Sequence, residues 1–377
     1  MYQKKAQENN ETNAFRYIFY SKNNFVINDI SENLDISFPT AKKIINNFLE
    51  KDIIFEEKKV GNGVGRKAME YSFNNFFCYS IGVRLTKNRA TILLTNAKGI
   101  MIREKTEYFL DSEEIQNEFL NVLKSFLKEL PLKIKKKLIG IGISVPGIVS
   151  TENEFIEFSS QTRVHLSFID KIKEELNFPV FMENESNLAS IAEGFLTKHS
   201  DCSLFTVLTI NDYVGISNFQ QENLSKDFYF KAGRLHHMIV ETNGRDCECG
   251  SKGCWGAYVS NKSLLLDFNK VFPNIKNFNE IFCIKYMDTK KGQEILDNYI
   301  KYLAVGIKNI LFFSNPEKLI ISGKICFHKE TIKEKLLDEI YKDHIFYRGP
   351  ETIAFSSFND SSIVIGAAMF PIIDTLF

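Results

Sequence analysis

The chain has no excess of charge of either sign. Lys and Arg number 47 and Asp and Glu number 47, so the formal net charge is zero over 377 residues. That excludes a protein that coats nucleic acid or membrane through bulk charge, while leaving room for a local basic face. Long apolar runs are also missing. No stretch nears the ~18 uninterrupted apolar residues of a membrane span. The longest runs, Ile139 to Val145 and Ile363 to Phe370, are broken by Gly and Ser. The opening M-Y-Q-K-K-A-Q-E-N-N has no apolar h-region and does not read as a signal peptide. A cytoplasmic protein with no membrane partner is the expectation. Cysteine is limited to seven residues. In a cytosolic chain these are metal ligands or inert core thiols rather than disulfides. No low-complexity linker divides the chain. What is present is 44% hydrophobic residues, enough for a sizeable core, over a length that suggests two or three domains of about 100–200 residues each.

Residues 1–75 read as short helices followed by a strand pair. Phe15, Ile18 and Phe19 recur at helical spacing. Asn28 can cap a second helix carrying Ile30, Leu34 and Ile36. Ser37 is a good N-cap for a third, with Pro39 in the first turn, where its missing N–H costs little. Ala41, Ile44, Ile45 and Phe48 give that helix one buried face and leave Lys42, Lys43, Asn46 and Asn47 outside. Ile53 to Phe55 and Ala68 to Phe73 form a hairpin around a Gly-rich tip, G-N-G-V-G-R-K. This is the pattern of a winged helix-turn-helix. Its third helix can enter the major groove of operator DNA with its N-terminal side chains at base edges. Ser37, Thr40, Lys42 and Lys43 are the exposed candidates on the helix, Lys43 chiefly for phosphate. Arg66 and Lys67 at the wing tip are suited to a narrow minor groove. A helical dimerisation or capping module is the alternative. The eleven basic and ten acidic residues of this segment do little to favour DNA on electrostatic grounds.

Residues 76–377 alternate strand and helix patterns. Three successive strands (Tyr79 to Leu85, Arg89 to Thr95, Gly99 to Tyr108), a helix from about Ser112 to Leu130, short strands at Leu138 to Ser144 and Pro179 to Met182, and a helix over Glu185 to Leu196 come first. The strand series then restarts at Ser203 to Ile210 and Val214 to Phe219, and a long helix from Lys290 to Phe313 precedes the strand Lys318 to Ser322. This βββαβα order, used twice, predicts an α/β protein of two related lobes.

His237, Cys247, Cys249 and Cys254 supply one imidazole and three thiols, the closed four-ligand set of a structural Zn²⁺. Gly250 and Gly253 let the backbone fold the sulfurs around one point. Four protein ligands leave no open position for a catalytic role. The competing readings are three buried free thiols, or His236 in place of its neighbour. Cys78, Cys202, Cys283 and Cys326 sit in apolar surroundings and read as core.

Taken together, several runs resemble the ROK family, whose name covers repressors, open reading frames and sugar kinases. They are the winged helix-turn-helix, G-I-G-I-S-V-P-G-I-V (Gly140 to Val149), E-N-E-S-N-L-A (Glu183 to Ala189), G-R-L-H-H with C-E-C-G-S-K-G-C, N-P-E-K-L-I-I-S-G-K (Asn315 to Lys324) and I-G-A-A (Ile365 to Ala368). The resemblance spans essentially the whole chain. It implies a two-lobed actin-like, ribonuclease H-like ATPase fold behind the winged helix-turn-helix, with a sugar in the cleft. The expected domains are 1–75, then 76–182 plus 363–377 as the first lobe, and 183–362 as the second lobe with the zinc loop.

The departures from the family pattern bear on function. Kinases of the family carry D-x-G-G-T-K at the start of the first lobe, a loop whose backbone N–H groups approach ATP phosphates. The segment Gly82-Val83-Arg84-Leu85-Thr86-Lys87 has neither the Asp nor the glycine pair, and carries Arg84 and Leu85. The second phosphate loop reads Asn211-Asp212-Tyr213-Val214-Gly215. The catalytic Asp of the E-N-D run is Glu185 here, which would sit ~1 Å or more out of place. The sugar motif G-E-x-G-H reads Gly233-Arg234-Leu235-His236-His237, and the family's Glu after the last Cys is Gly256. Asn184, Glu185 and His237 remain as effector ligands. Arg234 could meet a sugar phosphate or sugar acid, or form a surface or interlobe salt bridge. The resulting expectation is a zinc-containing repressor of carbohydrate-related genes and not an enzyme. It would act as a homodimer or dimer of dimers on double-stranded DNA, tuned by a sugar or sugar-phosphate effector. The alternatives are a residual sugar kinase using Glu185 and a regulator without a small-molecule effector.

Overall fold

The computed structural model describes all residues except 1, 22, 61–67, 87–88, 109–114, 146, 151–154, 158–162, 166, 198–201, 203, 221–228, 344, 347 and 377. The head comprises α1 (Tyr2–Tyr20), α2 (Ile27–Asn33), α3 (Phe38–Glu50), β1 (Ile54–Val60) and β2 (Ala68–Phe73). Ser37 caps α3 as the sequence predicts, its hydroxyl accepting the Thr40 N–H. Asn28 does not cap α2. That helix starts two residues earlier, at Ile27 with Val26 at the cap, and the Asp29 carboxylate accepts the Val26 N–H at 2.7 Å. The antiparallel β1–β2 wing gains a third member where Phe25 exchanges hydrogen bonds with Tyr71 at 3.0 and 2.8 Å.

The next stretch holds β3 (Tyr79–Thr86), β4 (Arg89–Asn96), β5 (Met101–Tyr108), α4 (Ile115–Glu129), α5 (Leu132–Lys135), β6 (Leu138–Val145), the small strands β7 (Ile148–Ser150), β8 (Phe155–Glu157) and β9 (Arg163–His165), then α6 (Ser167–Leu176), β10 (Val180–Asn184) and α7 (Glu185–Leu196). The remainder holds β11 (Leu204–Ile210), β12 (Val214–Gln220), β13 (Tyr229–Gly233), α8 (Gly256–Val259), α9 (Asn261–Asn269), α10 (Ile284–Met287), α11 (Lys290–Ser314), β14 (Lys318–Ser322), α12 (Lys329–Tyr341), β15 (Ile353–Phe355) and α13 (Ser362–Leu376).

The two large sheets have one topology. The first runs β10-β6-β3-β4-β5 and the second β13-β12-β11-β14-β15. In each, three strands form an antiparallel meander and two more join in parallel across helical crossovers. The duplicated order expected from the sequence is therefore present. Parallel strands buried on both faces need apolar runs, which β6 and β14 supply.

Between the sheets lie α7 and α13, both almost wholly buried. Gly366 in α13 makes their crossing possible, because a Cβ there would stand 1.8 Å from the Leu188 carbonyl oxygen. The apolar layer around these helices takes in Phe205, Phe219 and Ile320 from the second sheet. It continues without a break into Phe15, Phe19, Ile45 and Phe48 of the head. Two further cores cover the outer faces, one under α4 and α6 and one under α9, α11 and α12.

The seam between head and body is specific. Lys98, at the turn between β4 and β5, donates its ammonium to the Phe19 carbonyl at the end of α1. It also lies over the Phe19 and Phe73 rings at 4.3 and 4.8 Å. Tyr20 stacks on Phe195 near the far end of α7. Among the described residues no helix is long and apolar enough to cross a membrane.

Candidate functional site

Three places gather the residues singled out by the sequence. The first is α3. Ala41, Ile44, Ile45 and Phe48 are buried and fix the helix on the head, so Lys42, Lys43 and Asn46 stand on its exposed side. Ser37 and Thr40 share a hydrogen bond between their hydroxyls at 2.8 Å, so both are already engaged at the helix start. Arg66 and Lys67 lie outside the described residues.

The second place is the start of α7, beside β3. Asn184 caps α7 by accepting the Ser186 N–H at 2.8 Å, and its amide donates to the Gly147 carbonyl. Glu185, the first residue of α7, is held by Arg84 of β3. The guanidinium Nε stands 2.8 Å from one Glu185 oxygen, and its other arm reaches Asp360 at 2.6 Å. Burial alone would weaken the Arg84 charge. The two carboxylates outweigh that cost and keep the guanidinium protonated. The Glu185 carboxylate at the start of α7 is thus tied to a cation on β3. Asp360 was not apparent from the sequence: it lies 276 positions from Arg84, and no local pattern joins them.

The third place is the Cys/His cluster. His237 ends the 3-10 turn Leu235–His237, which follows Arg234, an exposed residue whose carbonyl accepts the His237 N–H. The Cys segment folds back through a tight turn, with the Gly250 N–H bonded to the Cys247 carbonyl and the Cys247 N–H to the Ser251 carbonyl. Gly253 adopts a φ of +74°, and a Cβ there would stand 1.8 Å from the Glu241 carbonyl oxygen. These turns bring one donor atom from each of His237, Cys247, Cys249 and Cys254 within 4.8 Å of the others. His236 is not in the cluster. Its ring is largely buried, which, with His237 and Arg234 nearby, pushes its pKa down to about 4.

The donor set fits a tetrahedral ion. Cys249 and Cys254 sulfurs are 3.7 Å apart, and Cys247 sulfur lies 3.5 Å from His237 Nδ1. Bonds of about 2.3 Å to sulfur and about 2.0 Å to nitrogen set the edges of a zinc tetrahedron at about 3.8 and about 3.5 Å. The neighbouring thiols also perturb one another. Burial and the adjoining Cys247 and Cys249 push the Cys254 thiol up, while the Ser251 N–H pulls Cys249 down. A divalent ion would let all three be thiolates. Arg245 supports the loop, a role the sequence did not reveal. Its backbone N–H donates to the Tyr258 hydroxyl at 2.8 Å, and its guanidinium pairs with Asp267 at 2.8 Å and lies over the Tyr258 ring.

This fold, with its doubled sheet and its Cys/His loop, is that of the ROK family. The ROK family model matches residues 80–372, so the chain belongs to that family. The match leaves the head outside. The xylose repressor of Bacillus subtilis (strain 168) is 24% identical over 313 residues, covering 82% of this chain and 81% of the repressor. A solved ROK family transcriptional regulator, a homolog of the Escherichia coli MLC protein, superposes with a TM-score of 0.79 at 17% identity over 98% of both chains. A ROK family glucokinase from Streptomyces griseus, solved with glucose and AMPPNP, reaches a TM-score of 0.62 at 17% identity. It covers 77% of this chain and 98% of its own.

Proposed function

We propose that this protein is a DNA-binding transcriptional repressor of sugar-related genes, built on a kinase-like body that no longer phosphorylates. The observation that carries the reading is the winged helix head with α3 presenting Lys42 and Lys43, joined to a body in which Arg84 ties Glu185 to Asp360. The name of the Bacillus subtilis relative supports it. Residues 1–75 act as the DNA-binding domain, 76–182 with 363–377 as the first lobe and 183–362 as the second. The placement of α13 and α7 between the sheets supports this division. Two copies would bind a pseudo-palindromic operator with half-sites about 34–36 Å apart. Ser37, Thr40, Lys42, Lys43, Arg66 and Lys67 would form the contact surface.

His237, Cys247, Cys249 and Cys254 would hold a zinc ion whose chemistry is structural, since four protein donors complete its shell. With Nδ1 turned to the sulfurs, the other ring nitrogen of His237 is left for the cleft. Asn184 and Arg234, with His237 and the Arg84-bound Glu185, would form the effector site, and Arg234 favours an anionic sugar. Such an effector acts only by binding one arrangement of the lobes better than another.

Gel-shift titration of the protein's own upstream DNA tests the main reading. A specific complex that weakens with salt is expected, and Lys42→Ala should lower the salt slope by about one. The absence of any salt-sensitive specific complex with genomic fragments would refute it. Calorimetry with ATP and magnesium should give no binding heat. Saturable binding with sugar phosphorylation, lost in Glu185→Gln, would restore the kinase reading. A thermal-shift screen of sugars and sugar phosphates tests the effector site. A sugar phosphate is expected to raise the melting temperature, an effect lost in Arg234→Ala.

A further inference from the structure

The first position of α3 holds a side chain that the fold of the head does not explain. Phe38 stands 48% exposed. Helical spacing places it in line with Ala41 and Ile45, yet it projects beyond the last turn that the core covers and lies outside the head's apolar cluster. Every other large apolar residue of α3 is at least partly buried. Exposing an aromatic ring there is unfavourable in the free protein.

Its neighbours narrow what it could meet. The Ser37 and Thr40 hydroxyls are bonded to each other, and the Ser37 hydroxyl also takes the Thr40 N–H. Pro39 carries no N–H, so the start of α3 offers few polar donors. Lys42 and Lys43 follow one turn along the helix and are exposed, cations of the kind that contact phosphate. The beginning of a recognition helix is the part that meets base edges. An apolar group there has one natural counterpart in the major groove, the 5-methyl of thymine.

We propose that Phe38 is a specificity-determining residue that reads thymine methyl groups in the operator. This rests on the reading of the head as a DNA-binding module. It deepens that reading by assigning sequence preference to an apolar contact, with the lysines supplying affinity. No covalent step is involved.

The test uses the full-length chain and needs no known operator. Duplexes are selected by the wild-type protein from a random-sequence library. Each thymine of the selected consensus is then replaced by uracil, which removes only the methyl. For wild type, uracil at one or two positions per half-site should weaken binding about fourfold each, the factor that burying one carbon is worth. In Phe38→Ala the thymine and uracil duplexes should bind alike at those positions, while salt-dependent binding persists. Phe38→Leu, which keeps an apolar contact, should restore most of the preference. A wild-type consensus whose uracil penalties are unchanged in Phe38→Ala overturns the proposal and leaves the DNA-binding reading intact. Failure of wild type to enrich any sequence overturns both.

Discussion

Arg84 and Glu193 are buried ionisable side chains with opposite surroundings. Arg84 is 6% exposed and has two carboxylates on it. Replacing it with Met would leave Glu185 without its cation and Asp360 with only the Arg89 guanidinium, at 4.0 Å, and breaking a buried pair in this way costs about 3–5 kcal/mol. Arg84→Met should therefore lower the urea midpoint strongly, whereas a loss within 1 kcal/mol would mean that solvent reaches the triad. Glu193 on α7 is fully buried. Burial pushes its carboxyl from 4.5 up to about 7, with Ser356 only partly opposing. An acid raised in this way keeps its proton in the folded chain after the unfolded chain has released it. Stability therefore falls as pH rises from 4.5 to about 7 and is level above. Glu193→Gln should be more stable than wild type by on the order of 3 kcal/mol near pH 8, with the gain fading as pH falls from about 7 and gone below 4.5. Unfolding curves at several pH values check this, and a gain independent of pH would contradict it.

At the level of elements, the Cys/His loop is the most consequential unit. Cys249→Ser removes one of four donors. It is expected to leave well under about one equivalent of zinc and to destabilise the second sheet, because metal binding is part of the folding free energy. Metal analysis with thermal melts reads both, and full stability in strong chelator would contradict the claim. The loop was legible from sequence because its ligands lie close together and its glycines mark the turns. The same holds for α7, whose bounds match the expectation, since Asn184 is a local cap and Leu196 ends an apolar run. Other boundaries depended on distant contacts. α1 extends back to Tyr2 through a polar stretch with no apolar period. α2 is capped at Val26, whose N–H the Asp29 carboxylate accepts, and not at Asn28. The Arg84 triad and the Arg245 brace join residues far apart in the chain, so spacing carried no trace of them.

Across the whole molecule, the doubled βββαβα order was readable because each strand and helix has its own period. The way the head meets the body was not, because it depends on Phe19, Phe73, Lys98 and Phe195 meeting in three dimensions. Phe19 is almost fully buried at that seam. Phe19→Ala should cost about 3–5 kcal/mol. The circular-dichroism transition should move as a single step, without a small early phase from a loosened head. An early phase would show that the head melts independently.

That shared interior has a practical consequence. The module that would grip DNA is not a bead on a string, and transplanting it onto another protein would expose a raw aromatic face that must find new cover. By the same token, a shift of the second sheet would be felt in that interior, since Phe205, Phe219 and Ile320 share it with Phe15, Phe19 and Phe48. News from the cleft would then reach the operator through side chains in contact, with no tether to carry it.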